Sequence, residues 1–160
     1  MTKPLTWPQL WISVAKTIGQ KSKCVRAQYG AVIVSRDNRV LSVGYNGPPA
    51  GREVEGPCSK WCTRAKLAAR GIEPAADYTD CHAVHAEMNA LLRASNLWRE
   101  DEPTLYVNGV MCLRCALTTA NSGVKKVVML LTEYEVKRDP EGTKQLLEDY
   151  GLKVEVVSES

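Results

Sequence analysis

Phenylalanine is absent from this 160-residue chain, so aromatic packing falls to four tryptophans and six tyrosines. Long apolar runs are missing too. No window approaches the roughly 20 apolar residues that a membrane span needs. The opening residues Met1, Thr2, Lys3 and Pro4 lead into an interrupted amphipathic stretch, so no secretory leader is expected. Charge of one sign is not in excess. A formal net charge of +3, with both signs mixed along the chain, is too mild to argue for DNA or RNA binding. It still suits a small phosphorylated ligand, for which a few placed cations suffice. Repeats and low-complexity tracts are lacking as well. What remains is the expectation of one compact cytoplasmic domain over residues 1–160, with no membrane or nucleic-acid partner.

Cysteine, by contrast, is plentiful, with six in the chain. A reducing compartment disfavours disulfides, so metal binding or catalysis becomes the leading explanation.

The order of elements is read from periodicity and turn chemistry. Thr6 can cap a helix starting near Trp7 and Pro8, with Leu10, Trp11, Val14, Ala15 and Ile18 at helical spacing. Tyr29 to Ser35 and Arg39 to Tyr45 read as strands around an Asp37-Asn38 turn, hence a hairpin. Asn46 to Pro57 is rich in Gly and Pro and reads as a loop. Ser59 to Arg70 is a plausible helix, and a polar loop with Pro74 and Asp80 follows. Further helices are expected over His85–Ser95, Leu113–Asn121 and Gly142–Tyr150. Strands are expected over Thr104–Val107, Lys126–Leu131 and Leu152–Val157. Alternation of this kind predicts a mixed sheet with helices on both faces, an α/β fold.

The sharpest chemical feature is His85-Ala86-Glu87 followed by Cys112-Leu113-Arg114-Cys115. One imidazole and two thiolates are three ligands for a tetrahedral zinc, and a fourth position left for water is the layout of a catalytic site. Both groups stand at predicted helix starts, where free N–H groups and the dipole favour anions and should lower the thiol pKa values. Glu87 need not bind the metal. Two residues after His85, it can reach water that zinc has acidified and move its proton to the substrate. This resembles the H-x-E and P-C-x-x-C pattern of zinc deaminases. One departure is plain: Met111, not proline, precedes Cys112.

More of the chain shares the likeness. Tyr29 to Val34, Gly44 to Gly51, His85 to Ala90 and the Cys112/Cys115 pair resemble the deoxycytidylate (dCMP) deaminase family of the cytidine deaminase superfamily, in its order, over roughly Trp7 to Tyr134. The resemblance implies a three-layer α/β/α sandwich with a mixed five-stranded sheet. It implies hydrolytic deamination of dCMP at C4, giving dUMP for thymidylate synthesis, on a C5 position that is either plain or substituted. It also implies a homo-oligomer, commonly a hexamer, and in many members allosteric control by dCTP and dTTP. Asn46 stands where the superfamily contacts the sugar, although Asn46-Gly47 can equally turn the chain. Ala86, Arg26 and Tyr134 are further candidate substrate contacts, Tyr134 through its ring face. Gly44, Tyr45 and Gly47, with Lys23 and Arg52, form the candidate phosphate or effector loop, where glycine permits close approach.

Cys24, Cys58, Cys62 and Cys81 remain. Cys58 and Cys62 share a helix face if their segment is helical. Bacterial and phage members of the family often carry a second zinc, and Cys24, Cys58 and Cys81 fall in the three places that supply its ligands, with Cys62 as a natural fourth. A four-thiolate site is closed and structural, and would tie the long 46–84 connection to the sheet. His82 could replace one cysteine, and buried or free thiols are the alternative.

Three functions compete. A free-nucleotide deaminase comes first. A polynucleotide deaminase uses the same core but needs a basic, aromatic groove, and no such tract is visible; nucleoside deamination is a variant disfavoured by the 44–51 loop. A non-catalytic zinc-binding protein would have no need of Glu87.

Overall fold

The computed structural model describes residues 3–49, 62–75, 80–133, 135 and 138–159. Its first helix, α1 (Trp7–Gly19), starts where Thr6 predicts. The Thr6 hydroxyl accepts from the Gln9 N–H, and the Gln9 side chain accepts from the Thr6 N–H at 2.9 Å, a reciprocal capping box. Strands β1 (Gly30–Val34) and β2 (Val40–Tyr45) form the expected hairpin, with Asn38 at φ 62° in its turn. Helices α2 (Thr63–Ala69) and α3 (Ala86–Arg93) precede β3 (Thr104–Val107). Then come α4 (Leu113–Ala120), β4 (Lys126–Leu131), α5 (Pro140–Asp149) and β5 (Lys153–Ser158).

The sheet order is β2-β1-β3-β4-β5. β1 pairs antiparallel with both β2 and β3, while β3, β4 and β5 are mutually parallel neighbours. The sheet is therefore mixed, as the hairpin requires. The antiparallel β1–β3 pair follows because the chain runs from β2 past β1 before entering β3.

Period-two alternation divides the core into two layers. Ala31, Ile33, Leu105, Val107, Val127 and Met129 face α3, α4 and α5. Val32, Val34, Tyr106, Val128 and Leu130 face Trp11, Ile12 and Ala15 of α1. All of these side chains are buried. Helices thus cover both faces, and the chain has the three-layer cytidine deaminase-like architecture.

Two sequence readings need correction, and one element had no sequence reading. Cys62 has an extended backbone (ψ 117°) and stands before α2, not within a helix from Ser59; residues 59–61 lie outside the described residues. α5 starts at Pro140, not Gly142, because the Asp139 side chain accepts from the Gly142 N–H at 3.0 Å and Pro140 suits a first turn. A short 3₁₀ turn, Leu97–Arg99, follows Asn96 at φ 54°; its three residues are too few to show a period.

Candidate active site

Both ends of the candidate metal site are helix N-caps. His85 caps α3 and Cys112 caps α4, each with extended backbone, so each side chain stands beside free backbone N–H groups. The approach to His85 is fixed from β2: the Gly47 N–H donates to Val84 O at 3.0 Å and the Val84 N–H to Gly47 O at 2.7 Å. Asn89 of α3 donates to Tyr45 O at 2.8 Å. Gly44 lets the two elements meet. A Cβ there would fall 2.3 Å from Ala86 O, so glycine at this position serves helix-on-strand packing.

His85 Nδ1 lies 3.4 Å from each of Cys112 Sγ and Cys115 Sγ. All three donor atoms lie within 4.8 Å of one another. Tetrahedral zinc with ordinary bond lengths sets N···S edges of about 3.6 Å, so the donors fit that ion. Cys112 is held as a thiolate, down to about 4, chiefly by the Cys115 thiol, with His85 adding and burial opposing. Cys115 is pushed up because the Cys112 thiolate keeps its proton in place, and burial adds to this. His85 is raised to about 10 by Cys112 first and Cys81 second. The cluster thus holds protons that a divalent cation would displace.

Glu87 is buried in the first turn of α3 and lines the same cavity. Burial pushes its carboxyl above the ordinary range, and the charge on His85 pulls the other way. A carboxyl in that state can both take and return a proton.

The cavity has a volume of about 290 Å³. His85, Ala86, Glu87 and Cys112 line it, together with Arg26, Asn46 and Gly47. Asn46 is buried: its Oδ1 accepts from the Tyr29 N–H at 2.8 Å and its Nδ2 donates to Ala27 O at 3.0 Å. The amide therefore clamps the entry to β1, leaving one N–H and one lone pair. Tyr45 carries the Arg93 guanidinium 5.9 Å above its ring. Lys23 is exposed. Arg52, Tyr134 and Cys58 lie outside the described residues.

Cys24, Cys62 and Cys81 line the cavity as well. None of the five described cysteines forms a disulfide. Among the described residues, His85, Cys112 and Cys115 form the one group of three or more whose donors all lie within 4.8 Å of one another. Cys81 is close enough to His85 to be lowered by a hydrogen bond to it. His82 is exposed and pairs with Thr63 at 3.1 Å.

Sequence reasoning missed Tyr29, Glu135 and Arg138, which all line the cavity. Glu135 is buried, accepts from the Tyr29 hydroxyl, and lies 3.4 Å from Arg138 Nε. It also missed the ion pair between buried Arg64 and half-buried Asp80, in which Arg64 also donates to Ala75 O at 2.6 Å. No periodic pattern marks these residues: Glu135 and Arg138 are only three apart, but Tyr29 and Val110, which Glu135 binds, are distant in sequence.

Residues 5–131 match the model of the cytidine and deoxycytidylate deaminase zinc-binding region. The chain belongs to this family. Membership makes it a deaminase, an enzyme of the hydrolase class. It is 40% identical over 134 residues to the deoxycytidylate deaminase of Mycobacterium phage D29, covering 80% of this chain and 96% of that protein. It is 32% identical over 125 residues to the deoxycytidylate deaminase of Schizosaccharomyces pombe, covering 77% of this chain but 36% of that longer protein. The crystal structure of the dCMP deaminase from cyanophage S-TIM5, in complex with dCMP and dUMP, shares the fold with a TM-score of 0.65 at 24% identity. That likeness covers 98% of this chain and 100% of that one. No helix among the described residues is long and apolar enough to cross a membrane.

Proposed function

We infer that this deaminase converts dCMP and water to dUMP and ammonia, and so supplies dUMP for thymidylate synthesis in the cytoplasm. The observation that carries the reading is a three-donor site at two helix starts, with a buried, pKa-raised carboxyl beside it in one cavity. The curated relatives named deoxycytidylate deaminase direct the choice of substrate.

His85, Cys112 and Cys115 would hold zinc, which when bound supplies the Lewis acidity that makes water a nucleophile at neutral pH. Glu87 takes one proton from the attacking water and passes it to the ring nitrogen, then takes the second from the new C4 hydroxyl and gives it to the departing amine. The C4–N bond breaks as the C4–O bond persists, so the products are a uracil ring and ammonia. Ala86, fully buried at the cavity wall, limits the space available to the base. Asn46 offers its remaining donor and acceptor to the sugar. Arg26, exposed and lining the cavity, would take the phosphate. Tyr134 would stack on the pyrimidine, and Lys23, Gly44, Tyr45, Gly47 and Arg52 would serve dCTP or dTTP control.

A second, structural zinc on Cys24, Cys58, Cys62 and Cys81 is part of the same reading. Its support is that the three described thiols of the four line one cavity. Metal analysis of the purified protein decides it: two zinc ions per chain, falling to one in Cys24→Ser, support it, and one ion in both removes it. Association is supported by exposed Leu113 and Leu117 one turn apart on α4 and by exposed Leu92 on α3, and the family resemblance makes the assembly a homohexamer. Light scattering reads the mass.

The function is tested with dCMP, CMP, dCTP, 5-methyl-dCMP and deoxycytidine as substrates, by ultraviolet loss and ammonia release. Turnover led by dCMP supports the reading. Equal or greater turnover of deoxycytidine, or none of any substrate by zinc-loaded protein, overturns it.

A further inference from the structure

The H-x-E and P-C-x-x-C pattern places proline immediately before the first thiolate ligand. Proline there fixes its own φ and restricts the residue before it, so the backbone arrives at the ligand helix in one direction. This chain has Met111 in that place. Cys112 nevertheless needs a defined approach, because a metal geometry tolerates displacements of only about half an ångström.

The structure supplies that definition from another element. The Val110 N–H donates to Glu135 Oε2 at 2.9 Å, and Val110 O accepts from Arg138 Nη1 at 3.4 Å. Met111 O accepts from the Thr143 hydroxyl at 3.4 Å. Both backbone groups of Val110 and the carbonyl of Met111 are thus held by side chains from the β4–α5 connection and from α5. The struts are themselves anchored. Glu135 is buried and accepts from the Tyr29 hydroxyl through its other oxygen. Arg138 lies 5.0 Å over the Tyr29 ring. That ring also closes on Gly109, where a Cβ would fall 2.4 Å from a ring carbon. The Met111 side chain is buried and adds packing, but a flexible thioether cannot fix φ.

We propose that Glu135, supported by Arg138 and Thr143, is a positioning residue that replaces proline in fixing the backbone before Cys112 and so sets the geometry and affinity of the metal site. It rests on the reading of His85, Cys112 and Cys115 as metal ligands. Outer partners of metal ligands typically change affinity by about 10- to 100-fold when lost. Glu135 acts one residue further out, through the backbone, so the lower figure applies.

Cobalt is the probe, because its visible spectrum reports both thiolate ligation and coordination geometry. Glu135→Ala is expected to bind cobalt and zinc about tenfold more weakly and to shift the cobalt bands. Glu135→Gln, which keeps a carbonyl to accept from Val110, should recover most of both. A purely structural role would lower the Tm of metal-free and metal-loaded protein alike; the positioning role shrinks the gap between them. If Glu135→Ala does not fold, the isosteric Thr143→Val carries the test with a loss of about threefold, below the range for direct partners. A folded Glu135→Ala with wild-type affinity and spectrum overturns the proposal, as does an unaltered Thr143→Val where that is the variant measured. Absence of thiolate-to-cobalt charge-transfer bands in the wild type overturns the metal reading itself, a distinct result.

Discussion

Glu87 and Glu135 are two buried carboxylates lining one cavity, and their surroundings separate their work. Glu135 is occupied on both oxygens by Tyr29, Val110 and Arg138. Glu87 is raised by burial and stands beside the metal donors, so it is the one suited to moving protons. Glu87→Gln should lower kcat by about 10³-fold while leaving zinc content unchanged, read by ammonia release and metal analysis side by side. The donor cluster gives a second residue-scale expectation. Between about 4 and about 10, the metal-free site carries a Cys112 thiolate, a protonated Cys115 and a cationic His85. Zinc requires two thiolates and a neutral imidazole, so its binding releases about two protons. Affinity therefore rises with pH across that window and falls with acidification. Weakly buffered titration with a pH indicator measures the release. Release near zero would mean that the donors are already deprotonated without metal.

The elements that carry the site are the two helix starts and the β-hairpin beneath them. α3 can lie on β2 only because position 44 has no side chain, since an added Cβ would meet backbone of Ala86 and Ala90. Gly44→Ala should cost about 3 kcal/mol, through overpacking against backbone that cannot yield, and should weaken zinc retention because His85 begins α3. Urea unfolding and chelator competition report the two effects. α1 provides the contrast, packed on the opposite face of the sheet. Thr6→Ala removes the capping box and should cost about 1 kcal/mol with kcat unaltered. A matching fall in kcat would show that α1 couples to the site. Elements with strong period or apolar runs, such as β3 and β4, agree with their sequence reading to the residue. α5 was misplaced by two residues because its start depends on Asp139, at φ 51°, reaching Gly142.

At the scale of the whole molecule, the metal site joins segments that no local interaction connects, since His85 and Cys115 are brought together across the α3–α4 interface. Stripping zinc should therefore lower Tm by about 10 °C relative to protein in large metal excess, with recovery on adding zinc. Calorimetry with and without chelator measures it. An unchanged Tm would show that the site forms fully without the ion.

The sequence by itself determined the three candidate metal donors, the candidate proton carrier Glu87, the mixed α/β order and the family likeness. Each is written in short-range spacing: two residues from His85 to Glu87, three from Cys112 to Cys115, and period two along the strands. The tertiary structure alone decided which face each strand layer meets and that Asn46 clamps Ala27 to Tyr29. It also decided that Glu135, Arg138 and Thr143 hold the approach to Cys112. Those relations depend on distances between side chains and backbone groups far apart in the chain. Only the packed sheet, by bringing β1, the segment before α4 and the β4–α5 connection to one edge of a cavity, sets them.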